Sequence, residues 1–316
     1  MNARQLVRLF SSTAAAGLLF CTSSAYGAIA HWSFDAATIT TDADGIVTAA
    51  DQTGNHNATR VKNGTGVNVT SVAGQFGEAA DYNNGFGAQA TNNASFSFPQ
   101  LYEIMGATAG DFSVAAWAKV PDNGATAWDD NPILIDWGNA PTGTNRFTYW
   151  FQLDNVDTNA ALRPRAQIRN SNSPPSATNI DIIATTLSSA QAGTAGGPTV
   201  FDDGVWHHLA WTWTKSTGEM RFYTDGVLRH TQTSTQPLAN RDLLISDSPV
   251  GALGGKRDNN RFFRGAMDEV WVFGKAINAA EVLLLQTTNA NVPEPSSLIL
   301  AAMSLLALRA VRSNRK

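Results

Sequence analysis

The stretch "EMRFYTDGVLRHT", residues 219–231, alternates apolar and polar side chains on either side of Asp225-Gly226. Asp-Gly between two alternating runs marks a two-residue β-hairpin, because both central positions of a type I′ turn need positive φ. The same period of two continues outward. In "DFSVAAWAKV" (111–120), Phe112, Val114, Ala116, Ala118 and Val120 fall on one face and Trp117 on the other. "AIAHWSF" (28–34), "NPILIDWG" (131–138), "RFTYWFQLD" (146–154), "RAQIRN" (165–170), "VWHHLAWTWT" (205–214) and "FFRGAMDEVWVFG" (262–274) also read as strands. One short helix is predicted, "NAAEVLLLQ" (278–286), with Asn278 as its N-cap. The Pro-, Gly- and Ser-rich stretches 170–179 and 188–204 read as surface loops. The chain is therefore predicted to be all-β.

Composition agrees with that class. Asparagine, threonine, glycine and aspartate are abundant, whereas glutamate occurs only at 78, 103, 219, 269, 281 and 294. The formal net charge of −4, with 15% charged residues, excludes a nucleic-acid binder, which needs clustered positive charge. The single cysteine, Cys21, excludes an internal disulfide, a cysteine-based zinc site and a cysteine nucleophile in a chain that loses its N-terminus.

Both ends read as addresses. Arg4 and Arg8 precede an apolar stretch, Leu9–Phe20, and then small residues, the pattern of a signal peptide over 1–27. Cleavage after Gly27 or after Ala30 fits the small-residue rule. Lipidation at Cys21 is disfavoured by the bulky Phe20 before it. At the other end, "VPEPSSLILAAMSLLALRAVRSNRK" carries Pro293, Glu294 and Pro295, an apolar segment 296–311 and a basic end 312–316. The segment is expected to form a transmembrane helix whose arginines stay cytoplasmic. The two prolines hold the chain extended, as a protease groove requires.

This tail resembles the PEP-CTERM sorting signal of Gram-negative bacteria, over residues 291–316. The resemblance implies recognition by an exosortase at the tripeptide after signal peptidase has acted. The protein would be held in the inner membrane by its C-terminal helix before processing and then delivered to the cell envelope or extracellular matrix.

The body, residues 28–290, resembles the laminin-G-like or concanavalin A-like jelly roll. "HWSFD" (31–35), "DQTGNHNA" (51–58), "VAGQFGEAADYNNG" (72–85), "FSVAAWAKV" (112–120), "DGVWHHLAWTWT" (203–214) with "MRFYTDGVLR" (220–229), and "FRGAMDEVWVFGKAINAAEV" (263–282) occur in that family's order. The resemblance implies two antiparallel sheets packed face to face with the end strands adjacent. It also implies one structural calcium, for which the matching positions are Asp35, Asp51, Asn55 and Asp268.

Catalytic patterns are not found. Glucanases of this fold use acids two apart on one strand face. Here Asp268-Glu269, Asp202-Asp203 and Asp129-Asp130 are adjacent, and strand alternation sends neighbours to opposite faces. His207-His208 diverge for the same reason, and no nucleophile elbow is present. The sequence reads as a non-enzyme. For ligands, Trp128, Trp137 and Trp150 lie in or beside loops where a flat ring can meet a sugar, while Trp117, Trp211, Trp213 and Trp271 read as core. The leading expectation is a module that binds extracellular polysaccharide or a surface protein. The alternatives are a structural or adhesive surface protein without a small-ligand site, and a divergent glycoside hydrolase or lyase.

Overall fold

The computed structural model describes residues 28–43, 46–63, 69–82, 93–99, 101–104, 110–122, 132–138, 145–155, 162–172, 180–186, 201–242, 250–255 and 261–288. The signal helix, the C-terminal apolar segment, Pro293, Glu294, Pro295 and Trp128 lie outside them. Among the described residues no helix is long and apolar enough to cross a membrane. The body forms one compact unit, Gly27–Val292.

Seventeen strands are present among the described residues. They run β1 (Ala28–Trp32), β2 (Ile39–Thr41), β3 (Val47–Ala49), β4 (Ala58–Asn63), β5 (Thr70–Ala73), β6 (Glu78–Tyr82), β7 (Asn93–Pro99), β8 (Phe112–Lys119) and β9 (Ile133–Gly138). They continue as β10 (Asn145–Asn155), β11 (Leu162–Asn172), β12 (Ile180–Thr186), β13 (Trp206–Thr214), β14 (Glu219–Thr224), β15 (Val227–Thr233), β16 (Val250–Leu253) and β17 (Gly265–Phe273). The first sheet has the order β15-β14-β13-β8-β17-β6-β5, with β1 also pairing β17; the second has the order β12-β11-β10-β9-β16-β7-β4-β3-β2. All pairings are antiparallel, and the first and last strands meet as His31↔Trp271 and Trp32↔Val270.

The apolar stripes explain the sandwich. Phe112, Val114, Ala116, Ala118 and Val120 enter the main core with Trp211, Trp213, Phe222 and Val272 from the first sheet, and Phe96, Phe98, Trp137, Phe151 and Ile168 from the second. The hairpin between β14 and β15 turns at Asp225 (φ 50) and Gly226 (φ 74), as a type I′ turn needs. The predicted helix is α1 (Ala279–Thr288). The side chain of Asn278 accepts the N–H groups of Ala280 and Glu281, and Glu281 accepts the N–H of Asn278, a reciprocal cap. Its Val282 and Leu285 cover Ala115, Ala210, Tyr223, Trp271 and Phe273 on the outer face of the first sheet, forming a second, smaller core.

Candidate functional site

Asp268 and Glu269 do not obey strand alternation. Between Asp268↔Trp117 and Trp271↔Ala115, β17 spends one residue more than β8, and Glu269 takes φ 50 at this bulge. The bulge turns both carboxylates to the outer face, which corrects the expectation that they diverge. Each is occupied by structure. Oδ2 of Asp268 accepts the N–H groups of Gln75 (2.8 Å) and Phe76 (2.9 Å). Glu269 meets Nε2 of His31 at 2.5 Å, and the His31 ring stacks on Trp271 at 3.4 Å. Burial, with help from nearby Glu269 and Asp35, pushes the Asp268 carboxyl up to about 7.

The calcium expectation can be tested on oxygens. Asp51 is buried. Its Oδ1 accepts N–H groups from His31 and Thr53; its Oδ2 accepts the Thr53 hydroxyl and N–H groups from Asn55 and His56. Five donors exhaust the roughly four lone-pair positions of a carboxylate. The Asn55 side chain is exposed. Asp35 and Asp268 instead hold the loop before β6: Asp35 accepts the N–H of Glu78 at 3.0 Å, and Oδ1 of buried Asp268 has no hydrogen-bond partner. The four positions thus serve two different loops, and among the described residues no three acids, histidines or cysteines are gathered to hold an ion. As one set they do not fit calcium.

The aromatic candidates separate as well. Trp137 is a correction: it is fully buried, packed edge-on to Phe112 at 5.5 Å, because β9 turns it inward with Ile135. Trp150 pairs in register with Asp136 of β9 and Gln167 of β11, both buried on the face away from the main core. Trp211 and Trp213 are core as expected, while Trp117 and Trp271 are buried on the outer face of the first sheet.

A ring that the loop argument overlooked lines a cleft. Trp206, Lys119, Ala266 and Asp81 are direct register neighbours across β13, β8, β17 and β6. They form a row about 14 Å long on the outer face, at three interstrand spacings. With Pro121 and Arg264 they border an open cleft of about 470 Å³. Gly265 and Ala266 keep its floor low. Gly265 sits at φ 117, and a Cβ there would run into the Lys119 carbonyl. Trp206, Asp81 and Arg264 are half-buried and Lys119 is exposed. Burial raises the Asp81 carboxyl, against the pull of Lys119, and burial lowers the Arg264 guanidinium. The signal for Trp206 was present in the strand period: it shares parity with His208 and Ala210, away from Leu209 and Trp211. Asp81, Lys119 and Ala266 are far apart in the chain and carry no such signal.

Residues 90–283 match the concanavalin A-like lectin/glucanases superfamily. The chain belongs to this superfamily. Residues 291–316 match the PEP-CTERM protein-sorting motif, which implies export and sorting to the cell envelope. Among solved structures, this superfamily member resembles domain 4 of AbnA, a GH43 extracellular arabinanase from Geobacillus stearothermophilus in complex with arabinotriose. That match has a TM-score of 0.51 and 20% identity, over 83% of this chain and 98% of the other. The binding domain of Paraclostridial Mosquitocidal Protein 1 matches with a TM-score of 0.52 and 17% identity, over 83% of this chain and 52% of that one. At these identities the likeness establishes the fold. Neuronal pentraxin-2 of Mus musculus is 25% identical over 99 residues, 30% of this chain; the chain thus spans only 23% of that relative.

Proposed function

We propose that this protein is an exosortase-sorted envelope or extracellular-matrix component whose jelly roll binds carbohydrate, without catalysis, in the cleft between Trp206 and Asp81. The observation that carries the reading is the lining of that cleft. It offers one flat indole, hydrogen-bonding side chains and an open trough on a rigid sheet, the parts a sugar-binding site needs. Its described lining contains one carboxylate, Asp81, whereas glycoside hydrolysis takes two. Asp268 and Glu269, though on one face, are committed to the Gln75–Phe76 loop and to His31. The arabinotriose complex of a domain with this fold supports a sugar ligand, and the sorting motif supports an extracellular setting.

A glycan array probed with the exported protein tests this. Saturable binding is expected, and Trp206→Ala is expected to weaken it at least about tenfold, as loss of a stacking aromatic does. The variant's melting temperature serves as the folding control. Binding unaffected by Trp206→Ala places the sugar elsewhere, and an empty array favours the adhesive alternative. Release of reducing ends from any bound polysaccharide would overturn the non-catalytic reading.

A further inference from the structure

We propose that the outward face of α1, with Leu228 beside it, rests on the lipid surface of the inner membrane while the C-terminal segment still anchors the chain. The inference rests on the sorting reading, not on the carbohydrate one. It adds the surface by which the jelly roll meets the bilayer before an exosortase releases it.

The make-up of the helix is the first observation. Its sequence, AAEVLLLQTT, places apolar residues on every side. Val282 and Leu285 are taken up by the first sheet. Leu283 is still 50% exposed, Ala279 and Ala280 are exposed, and Leu284 is half-buried. A helix on a protein surface ordinarily turns charged side chains outward. The only charged residue of α1, Glu281, instead accepts from Nζ of Lys275 at 2.8 Å and from the N–H of Asn278. The hydroxyls of Thr287 and Thr288 donate back to the carbonyls of Leu283 and Leu284, both at 2.8 Å, so neither depends on water. The β14–β15 hairpin widens the patch. Its turn abuts α1 at Gly226, where an added Cβ would strike Gln286 and Leu283. Leu228 pairs in register with Tyr223, which α1 covers, and is itself 46% exposed. Chain length names the occupant. Only residues 289–295 separate Thr288 from the apolar segment that begins at Ser296. Fully extended, they reach about 25 Å. While that segment sits in the bilayer, the end of α1 stays within that reach of its surface. Such a tether gives an effective concentration of about millimolar, so a few leucines suffice for contact. A stable interface with a second protein takes about 20–30 residues a side, far more than this patch offers. With no charge on the face, attachment is by apolar insertion and not by attraction to anionic headgroups. Cutting the tail removes the tether and frees the jelly roll.

The test is fluorescence quenching in the full chain, reconstituted into phosphatidylcholine vesicles that hold a lipid-borne quencher. In a Cys21→Ser background the dye is placed on Thr287→Cys or, for comparison, on Asn240→Cys. Asn240 is exposed beside Arg241, which donates to the Lys215 carbonyl at the other end of β13 and β14 from the hairpin. The dye at 287 is expected to be quenched about threefold or more strongly than the dye at 240, with little change on adding salt or anionic lipid. Leu283→Glu and Leu228→Glu are each expected to bring quenching at 287 down towards that at 240. Both residues are exposed, and an unchanged melting temperature serves as the folding control. Equal quenching of the two dyes in vesicle-bound protein overturns this inference and leaves the sorting reading standing. Quenching at 287 that survives both glutamates also overturns it, because the tether alone then explains the proximity. Self-quenching of the dye at 287 that grows with protein density assigns the face to a second copy and overturns the lipid assignment. Failure of the full chain to stay with the vesicles overturns the anchored step of the sorting reading and this inference with it.

Discussion

The carboxylate of Asp51 accepts the main-chain N–H of His31 at 2.7 Å, tying the first strand to the turn that follows β3. Four further donors from Thr53, Asn55 and His56 converge on the same side chain. Asp51→Ala is expected to strand several buried N–H groups and cost about 3 kcal/mol or more of unfolding free energy. Urea denaturation measures it, and a loss below about 1 kcal/mol would mean that water replaces the carboxylate.

The saturation of Asp51 bears on metal. A cation bound only by the folded state raises stability with the logarithm of its free concentration. The melting temperature is expected to be the same in chelator and in millimolar calcium. A rise that scales with free calcium would restore the metal and point to the Asp35–Asp268 pair, where a buried oxygen has no hydrogen-bond partner.

Asp268 makes the fold sensitive to rising pH. Its folded value of about 7 stands above the ordinary 3.8, so the folded state holds a proton that the unfolded chain releases. Stability linked to this group is present below 3.8 and is lost as pH climbs through 7, by at most about 4 kcal/mol. Asp268→Asn is expected to remove that slope. The difference in urea midpoint between variant and parent should move in favour of the variant from pH 4 to pH 8. A constant difference across that range would mean that Asp268 ionises normally.

His207 and His208 titrate in opposite directions, although they are adjacent. Burial lowers His207, but its hydrogen bonds to Asp225 and Asp203 raise it more, so its stabilising charge is present below 6.5 and lost as pH rises. Burial depresses His208 to about 4, so it stays neutral and its contribution is lost as pH falls from 6.5 through 4. Imidazole NMR signals are expected to show the two midpoints on either side of 6.5. A single shared midpoint near 6.5 would contradict the packing of His208 against Trp117.

What local sequence determined is what depends on a few neighbours. The alternation in 111–120 separated core residues from Trp117. Asp225-Gly226 specified its own turn, and Asn278 with Glu281 specified the start of the helix. These rest on backbone period, on turn geometry and on hydrogen bonds spanning three residues. The candidate site was less legible. Trp137 read as a loop-side ring because nothing in "LIDWG" says which face of β9 meets the other sheet. Glu269 read as opposed to Asp268 because a bulge is visible only against its partner strand. The cleft brings together Asp81, Lys119, Trp206 and Ala266 from four strands, and only long-range pairing decides that register. Tertiary structure also decided how the acids are engaged: His31 from the first strand joins the local donors of the Asp51 turn, and the distant N–H groups of Gln75 and Phe76 take up Oδ2 of Asp268.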